Sequence, residues 1–197
     1  MSIHGKIKNR LDNLRNLYKK LSINKESLLK IISEAEMVES VFNSNAIENS
    51  TLTLDETEKI ILEMEVSRNV SLREVFEAKN LARIMQYLEG GQIEKRINKD
   101  RILFLHKMLI TNIHDEIAGR FRNLNEYVRV GSYIAYAPSK IESALEHALN
   151  EYYVNKDINV VERIARFHLE FESIHPFCDG NGRIGRGLTN YQFLQNN

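Results

Sequence analysis

The segment HPFCDGNGRIGRG, at residues 175–187, is the most informative stretch of this 197-residue chain. Two glycines lie in a short turn after His175 and Pro176, and such a turn allows backbone N–H groups to converge on one point. Proline disfavours helical geometry in the residue before it, so a helix is expected to end at His175. Arg183 and Arg186 are three residues apart, which places both guanidinium groups on one face of a following helix. The segment therefore predicts a helix, a glycine-rich turn and a second helix.

This pattern is typical of an anion site. Unpaired N–H groups and the positive dipole end of a helix N-terminus both favour phosphate, and guanidinium groups bind phosphate in a bidentate way. Asp179 suits a Mg²⁺ ion shared between one carboxylate and nucleotide phosphates, and His175 can accept a proton near neutral pH. The Walker sequence GxxxxGK[ST] and the acidic ligands of an EF-hand are absent from the sequence. The same residues also fit an ordinary turn with a structural histidine and solvated arginines.

The segment resembles the signature of the Fic (filamentation induced by cAMP) family, HxFx[D/E]GNGRxxR. All eight fixed positions are matched, by His175, Phe177, Asp179, Gly180, Asn181, Gly182, Arg183 and Arg186. The resemblance covers roughly residues 40–197 and implies an all-α helical bundle with a short β-hairpin flap. It also implies a protein adenylyltransferase, which transfers AMP from ATP to a Ser, Thr or Tyr hydroxyl of a target protein.

The resemblance further implies a role for each residue of the signature. His175 is expected to be the general base that activates the target hydroxyl, and Asp179 is expected to hold Mg²⁺ at the α- and β-phosphates. Nucleotide binding is expected from five residues whose backbone or guanidinium groups would face the phosphates, namely Gly180, Asn181, Gly182, Arg183 and Arg186. Among these, Arg186 would reach the γ-phosphate. Phe177 is expected to anchor the loop in the core, and Cys178 to be a small packed side chain.

A second short motif, SNAIENS, lies at residues 44–50. Ser44, Glu48 and Asn49 match [S/T]xxxE[G/N], the inhibitory pattern of the same family. The resemblance implies that Glu48 pairs with Arg186 and occupies the cation that should hold the γ-phosphate, so that ATP binds unproductively. From the residues alone, Glu48 can also be an ordinary capping residue near a helix end.

Helical periodicity dominates the chain ahead of the signature. A stripe of leucines and a tyrosine predicts an amphipathic helix ending near Leu21. A second helix is expected over about 24–43, followed by a break at 44–50, and the side chains expected to face inward are Leu28, Ile31, Ile32, Ala35 and Val38. Capping boxes predict helix starts at Thr53 and Ser139, and Asn98 is expected to be the N-cap of another helix. The glycine pair Gly90-Gly91 predicts a helix end.

One stretch favours β-structure instead of helix. β-Forming residues surround Gly131-Ser132 and predict a hairpin at 127–137, whose exposed strand edge could bind an extended segment of the target protein. The expected fold is therefore all-α with one hairpin. The expected organisation is N-terminal helices at 1–39 and a Fic domain at 40–197, containing the inhibitory motif 44–49, the flap 127–137 and the active-site loop 175–186.

Composition limits the classes of partner and compartment. The 27 Lys and Arg balance the 27 Asp and Glu, so net charge gives no indication of a nucleic-acid partner. The start of the chain lacks a secretory signal, and no run of about 18 uncharged apolar residues predicts a membrane span. Cys178 is the single cysteine, which excludes a disulfide within the chain and favours a reducing compartment. These observations predict a cytoplasmic protein.

Several alternatives stay open at the level of sequence. The enzyme could transfer another phosphate-containing group or remove AMP from a modified protein, although the intact GNGR favours AMP transfer. An inactive nucleotide-binding or antitoxin-like partner is a further alternative, but His175 argues against it because binding alone needs no base. The chain stops at Asn197, soon after Arg186, so the last helix is expected to need a packing partner. A second copy in a homo-oligomer could supply one.

Overall fold

The computed structural model describes residues 5–66, 69–90 and 96–196. The regular secondary structure of these residues is helical apart from one small hairpin, which confirms the predicted all-α class. The helices of the described residues are α1 (Gly5–Leu21), α2 (Glu26–Ile47), α3 (Leu54–Glu58), α4 (Leu72–Glu89), α5 (Lys99–Ile110), α6 (Ile141–Val154), α7 (Val160–Ile174) and α8 (Asn181–Gln195). None of the described helices is long and apolar enough to cross a membrane.

The core lies where α4, α5, α7 and α8 meet, and α2 and α6 cover its flanks. Apolar side chains at helical spacing from each of these elements form one continuous buried cluster. Phe171 of α7, Tyr191 of α8 and Phe177 of the connection between them are among its largest fully buried members. The predicted glycine-rich loop is therefore attached to the centre of the core through Phe177.

The predicted break at residues 44–50 is wrong by about four residues, because α2 continues to Ile47 with Glu48 as its C-cap. Ser44 and Asn45 are both buried. Arg186 donates hydrogen bonds to the hydroxyl and the carbonyl of Ser44, at 2.8 and 3.0 Å. These tertiary contacts hold polar residues in the helix although their intrinsic helix propensity is low. The helix cannot continue past Glu48, because the next residue, Asn49, is left-handed with φ 67°.

The inward orientation predicted for the first half of α2 is also wrong. Leu28, Ile31, Ile32 and Ala35 are exposed, and the buried face begins at Met37 and Val38. Ser33 donates a hydrogen bond to Glu89, the last residue of α4, so the residues of α2 before it lie beyond the end of α4. In α1, likewise, no residue is buried.

The predicted helix caps are confirmed at Thr53, Asn98 and Gly90, and the one predicted at Ser139 is wrong. Thr53 forms the predicted capping box with Glu56, although the helix then passes into a π-helical turn, Lys59–Glu63. Asn98 caps α5 as predicted, accepting a hydrogen bond from the Arg101 N–H. The capping box predicted at Ser139 is wrong, because Pro138 starts a 3₁₀ turn that contains Ser139 and Lys140 is the N-cap. Gly90 closes α4 as predicted, and Gly91 lies outside the described residues.

The predicted hairpin is present but short. β1 (Arg129–Val130) pairs antiparallel with β2 (Tyr133–Ile134), in the register Arg129 to Ile134 and Val130 to Tyr133. The boundary expected between residues 39 and 40 falls inside α2, so the N-terminal segment and the domain share one continuous helix.

Candidate active site

The loop between α7 and α8 owes its shape to two left-handed residues. The Pro176 ring disfavours helical geometry at His175, which adopts φ 50° and ψ 62° and ends α7. Gly180 has φ 81° at the N-cap of α8, and a Cβ there would lie 2.8 Å from Cδ2 of Leu109. Conformation and space therefore both require glycine at this position. As predicted, α7 ends and α8 begins on either side of a glycine turn.

The side chain of Asn181 closes this loop. Its Oδ1 accepts a hydrogen bond from the Phe177 N–H at 2.9 Å, and its Nδ2 donates to the Phe177 carbonyl at 2.8 Å. Asn181 is buried, so its amide side chain is committed to the loop. The first backbone bond of α8 joins the Ile184 N–H to the Gly180 carbonyl at 3.0 Å. The N–H groups of Asn181, Gly182 and Arg183 precede that bond, and these are the groups that a helix N-terminus offers to an anion.

The Phe177 anchor rests on His106, a residue whose part in the site the sequence did not indicate. The two rings stack with centroids 3.7 Å apart and 2° between their planes. His106 Nδ1 accepts a hydrogen bond from the Gly119 N–H at 3.0 Å, so Nε2 carries the hydrogen and donates to the Asp179 carbonyl at 3.1 Å. Burial lowers the pKa of His106 to about 4, so its ring is neutral at pH 7. His106 therefore supports the loop from behind as an uncharged donor.

Arg122 is the second supporting residue that the sequence did not indicate. It is buried, and its guanidinium donates to the backbone carbonyls of His175 at 2.9 Å, Tyr136 at 2.7 Å and Glu126 at 2.8 Å. Its own N–H donates to the Pro176 carbonyl at 3.0 Å. One buried cation thus ties the hairpin segment to the loop that carries His175.

Replacing Arg122 with alanine is expected to lower the free energy of unfolding by about 3 kcal/mol, because several buried carbonyls lose a charged donor. Urea denaturation followed by circular dichroism measures the change. Arg129→Ala is the matched control, since Arg129 is exposed and its side chain donates to the carbonyl of Gly131 in its own turn. Equal stability of the two variants would contradict this role for Arg122.

His175 is arranged to accept a proton. Its Nδ1 lies 3.3 Å from the Glu172 carbonyl oxygen, and since a carbonyl can only accept, Nδ1 carries the ring hydrogen. Nε2 is therefore left with a lone pair. Burial lowers the pKa of His175, and the charge of Arg122 lowers it further, so the neutral form is favoured near neutral pH. A neutral, oriented imidazole is what a general base requires.

Asp179 stands at the start of α8 among cationic side chains. Its Oδ1 accepts hydrogen bonds from the Gly180 N–H at 2.6 Å and from Arg183 at 3.1 Å. Its Oδ2 lies 3.3 Å from Nη2 of Arg73 on α4. Arg183 is only 2% exposed and also pairs with Glu77 of α4 at 3.2 Å. Glu77 and Arg73 are further residues of this cluster that the sequence did not indicate.

The donor set at Asp179 fits magnesium held jointly with a substrate. Among the described residues, no group of three or more His, Cys, Asp or Glu side chains is placed to hold a metal ion by itself. Mg²⁺ commonly takes one or two carboxylates and completes its coordination with substrate phosphates and water. One partly exposed carboxylate beside a helix N-terminus has that chemistry. A bound cation would compete with Arg73 for Oδ2 of Asp179.

The predicted inhibitory motif lies directly over the predicted phosphate site. Arg186 Nη2 is 2.7 Å from Oε1 of Glu48, and Arg186 Nε donates to the Ser44 hydroxyl at 2.8 Å. A Cβ on Gly182 would lie 2.6 Å from the same Glu48 oxygen. The Glu48 carboxylate therefore covers the first turn of α8, where the lack of a side chain at Gly182 makes room for it.

The structure brings most of the residues predicted for the site together, while Asn49 only ends the helix that carries Glu48. His175 and Asp179 lie on the loop that leads through Gly180 into the first turn of α8, and Arg186 contacts Ser44 and Glu48. The supporting residues that the sequence analysis missed come from other elements, namely Arg73, Glu77, His106 and Arg122. Arg122 lies in the stretch GRFRN ahead of the hairpin, where no spacing pattern marks one of the two arginines as functional. A single histidine on α5 gives no pattern either.

The sequence of this chain is similar to a known protein family and to several of its named members. Residues 96–193 match the model of the Fic/DOC family. The chain is 32% identical over 155 residues to the protein adenylyltransferase Fic of Nematostella vectensis, covering 76% of this chain and 36% of that protein. It is 31% identical over 157 residues to the protein adenylyltransferase fic-1 of Caenorhabditis elegans, covering 76% of this chain and 30% of that protein. The chain therefore spans well under two thirds of these relatives.

Solved structures of Fic proteins have a fold similar to that of this chain. A Fic domain containing signaling protein from Bacteroides thetaiotaomicron superposes with a TM-score of 0.83 at 25% identity, over 94% of this chain and 72% of that one. Fic-1 from C. elegans superposes with a TM-score of 0.82 at 25% identity, over 97% of this chain and 56% of that one. The similarity includes the helices on both sides of the loop.

Proposed function

Because this chain belongs to the Fic/DOC family, we propose that it is a protein adenylyltransferase that moves AMP from ATP to a hydroxyl side chain of a target protein. Relatives at 31–32% identity carry that name. The observation that carries the proposal is the placement of a neutral, oriented His175 on the same loop that leads into the N-terminus of α8. A base and an anion site separated by five residues suit the transfer of a phosphate-containing group to a hydroxyl.

In the proposed reaction, the hydroxyl oxygen of the target attacks the α-phosphorus of ATP and forms the new P–O bond. The bond from that phosphorus to the oxygen bridging to the β-phosphate breaks, and pyrophosphate leaves with its electron pair. Nε2 of His175 accepts the hydroxyl proton. Since Nδ1 keeps its hydrogen on the Glu172 carbonyl, the lone pair of Nε2 is available without a change of tautomer.

Stabilisation of the developing charge is assigned to the start of α8. The N–H groups of Asn181, Gly182 and Arg183 would bind the phosphate oxygens, and the Arg183 guanidinium would contribute charge from beneath. Arg186 would bind the γ-phosphate once released from Glu48. When bound by Asp179 and the phosphates, Mg²⁺ supplies charge neutralisation on the phosphate chain.

The proposed AMP transfer can be tested by incubating the Glu48→Gly variant with Mg²⁺ and ATP labelled on the α-phosphate. Label is expected on protein, either the chain itself or a target in a cell lysate. ATP labelled on the γ-phosphate is the control, because AMP transfer leaves the γ-phosphate in pyrophosphate. Labelling from γ-labelled ATP alone would instead support transfer of a phosphoryl group.

We propose in addition that Glu48 holds the enzyme inactive. Its carboxylate lies where a γ-phosphate would approach Arg186, and two negative groups cannot share that guanidinium at low energy. The pair is partly buried, so it is expected to contribute more than an exposed surface ion pair. Ser44 supports the arrangement through Arg186, and Asn49 allows the left-handed turn that follows.

The flap is the proposed docking site for the target. Tyr136 donates to Glu170 at 3.0 Å, and Arg122 joins the Tyr136 carbonyl to the His175 carbonyl. The hairpin is thereby held at a fixed position relative to the base. An extended segment of the target could add to an edge of this two-stranded sheet through backbone hydrogen bonds, which would present its hydroxyl to Nε2 of His175.

We further propose that the chain self-associates through α1. Helix α1 exposes Leu11, Leu14 and Leu17, and six of its seven charged residues are basic. A groove between α2, α4 and α8 is lined by apolar side chains including Met85 and Leu88, and its rim is acidic, with Glu36, Glu39 and Glu89. Helix α1 of a second copy matches this groove in both apolar character and charge.

Leu14→Glu is expected to convert a dimer into a monomer, because it places a carboxylate on the apolar stripe of α1 against the acidic rim. Light scattering after size-exclusion chromatography measures the mass. Leu169→Glu is the matched control, since Leu169 is an exposed leucine on α7 outside this groove. A wild-type chain that is monomeric at all concentrations would contradict the proposal.

We also propose that the protein is cytoplasmic. The proposal is supported by Cys178 as the single cysteine of the chain, since a protein in a reducing compartment has no use for disulfides.

A further inference from the structure

Glu172 is a half-buried glutamate that neither the family signature nor the proposed mechanism uses. It lies on α7 one turn before His175, and its Oε2 is 3.9 Å from Nδ1 of that histidine. Its other oxygen, Oε1, is buried and has no hydrogen-bond partner among the described residues. Burying a carboxylate oxygen without a partner is costly, so its presence beside the base calls for a physical reason.

The neighbouring helix leaves space for this carboxylate. Gly185 of α8 faces Glu172, and a Cβ built at Gly185 would overlap Oε1. Gly185 is helical and its φ needs no glycine, because it is absent from the residues with positive φ. Glycine in a helix interior is unfavourable by roughly 1 kcal/mol relative to alanine. The glycine is therefore explained by the room that it gives to the Glu172 side chain.

The charged and titratable side chains that face Glu172 include residues of the proposed active site. His168 and His175 face it from α7, Arg186 faces it from α8, and Glu48 faces it from the end of α2. His175 in turn is faced by Arg122 and Glu48. Burial raises the pKa of Glu172 above its usual value, as expected for a carboxylate held without a hydrogen-bond partner. Protonation of His175 during the reaction would place a cation 3.9 Å from Oε2 of Glu172.

We propose that Glu172 is a positioning residue for His175, and that its carboxylate stabilises the imidazolium formed when Nε2 accepts the proton of the target hydroxyl. The Nδ1–H of His175 points toward Glu172, with the backbone carbonyl at 3.3 Å and the carboxylate at 3.9 Å. A small movement of the ring brings Nδ1–H into a charge-assisted bond to Oε2. This inference rests on the proposed function, because it assigns His175 the role of base.

Glu172→Gln keeps the shape of the side chain and removes its charge. In the Glu48→Gly background, kcat for AMP transfer is expected to fall about tenfold with KM for ATP unchanged. The acid limb of the pH–rate profile is expected to move to lower pH by about one unit, since the loss of a nearby carboxylate lowers the pKa of His175. Glu162→Gln is the control, because it removes a carboxylate that pairs with Arg166 on the same helix. An unchanged kcat and pH profile would overturn the proposal.

Gly185→Ala tests the same interaction from the opposite helix. The added methyl group is expected to displace the Glu172 carboxylate and to move the acid limb in the same direction. In the double variant with Glu172→Gln, the alanine is expected to add little further loss, since the group that it displaces is already neutral. Fully additive losses would mean that Gly185 and Glu172 act independently, which contradicts the proposal.

A titration of His175 separates this proposal from the proposed function. The Cε1–H resonance of His175, assigned by comparison with His175→Ala, gives its pKa in the wild type and in Glu172→Gln without any transfer reaction. The pKa is expected to be lower in Glu172→Gln. If this shift is found but no form transfers AMP, the proposed function fails and the interaction stands. If AMP is transferred but the pKa does not shift, the positioning role fails.

Discussion

Replacing Glu48 with glycine is expected to raise AMP transfer at least about tenfold, the equivalent of roughly 1.4 kcal/mol in the barrier. The change removes the carboxylate that lies 2.7 Å from Nη2 of Arg186 and leaves the bond of that guanidinium to the Ser44 carbonyl in place. It also removes a negative charge from above Gly182 at the start of α8. Glycine is compatible with the helix end at this position, so the fold should be retained. Transfer of α-phosphate label to protein measures the effect.

A matched pair of alanine variants controls for loss of charge on α2. Glu48→Ala is expected to activate, whereas Glu34→Ala, on an exposed position of the same helix, is expected to behave as the wild type. Mutation of Glu48 that leaves the rate unchanged, while the chain still binds ATP and transfers AMP, would show that the contact with Arg186 is structural and does not inhibit.

Replacing His175 with alanine in the Glu48→Gly background is expected to reduce transfer by about 10²–10⁴-fold, the usual contribution of a positioned general base. ATP binding should be retained, because the groups assigned to the phosphates lie on α8 and not on the imidazole. Calorimetric titration with ATP and Mg²⁺ measures binding, and label transfer measures the reaction. Loss of both together would indicate that the loop has collapsed, contrary to the assigned role.

His147→Ala is the control for this experiment, since His147 is exposed on α6 and is not among the residues of the site. Its rate is expected to equal that of the background. A His175→Ala variant that transfers AMP at the rate of the control would remove His175 from its role as base and would favour a water-mediated or target-supplied base.

The site could be predicted from sequence wherever its residues are close together in the chain. The loop from His175 to Arg186 is held by local geometry, namely the proline after His175, the left-handed Gly180 and the Asn181 amide on the Phe177 backbone. Each of these interactions spans at most a few residues, so the spacing of the signature contains them. The pairing of Glu48 with Arg186 joins distant residues, and it came from the resemblance to a family and not from spacing.

The residues that sequence analysis missed act across long separations. Arg122 reaches the His175 carbonyl, His106 reaches the Asp179 carbonyl, and Glu77 reaches Arg183. A lone arginine, histidine or glutamate has no periodic pattern, and its role depends on which backbone groups the fold brings to it. The same reason explains the error at α2, where contact of Ser44 with Arg186 extends a helix that local propensity would end.

By itself, the sequence determined the class of fold and the two helices around the glycine turn, because these depend on helical periodicity and local backbone geometry. The tertiary structure alone decided which buried groups support the loop, where the core ends along α2, and that Glu172 lies against Gly185 beside His175. Burial and charge are properties of the assembled environment. A side chain acquires its pKa and its partners only when helices distant in the sequence pack against each other.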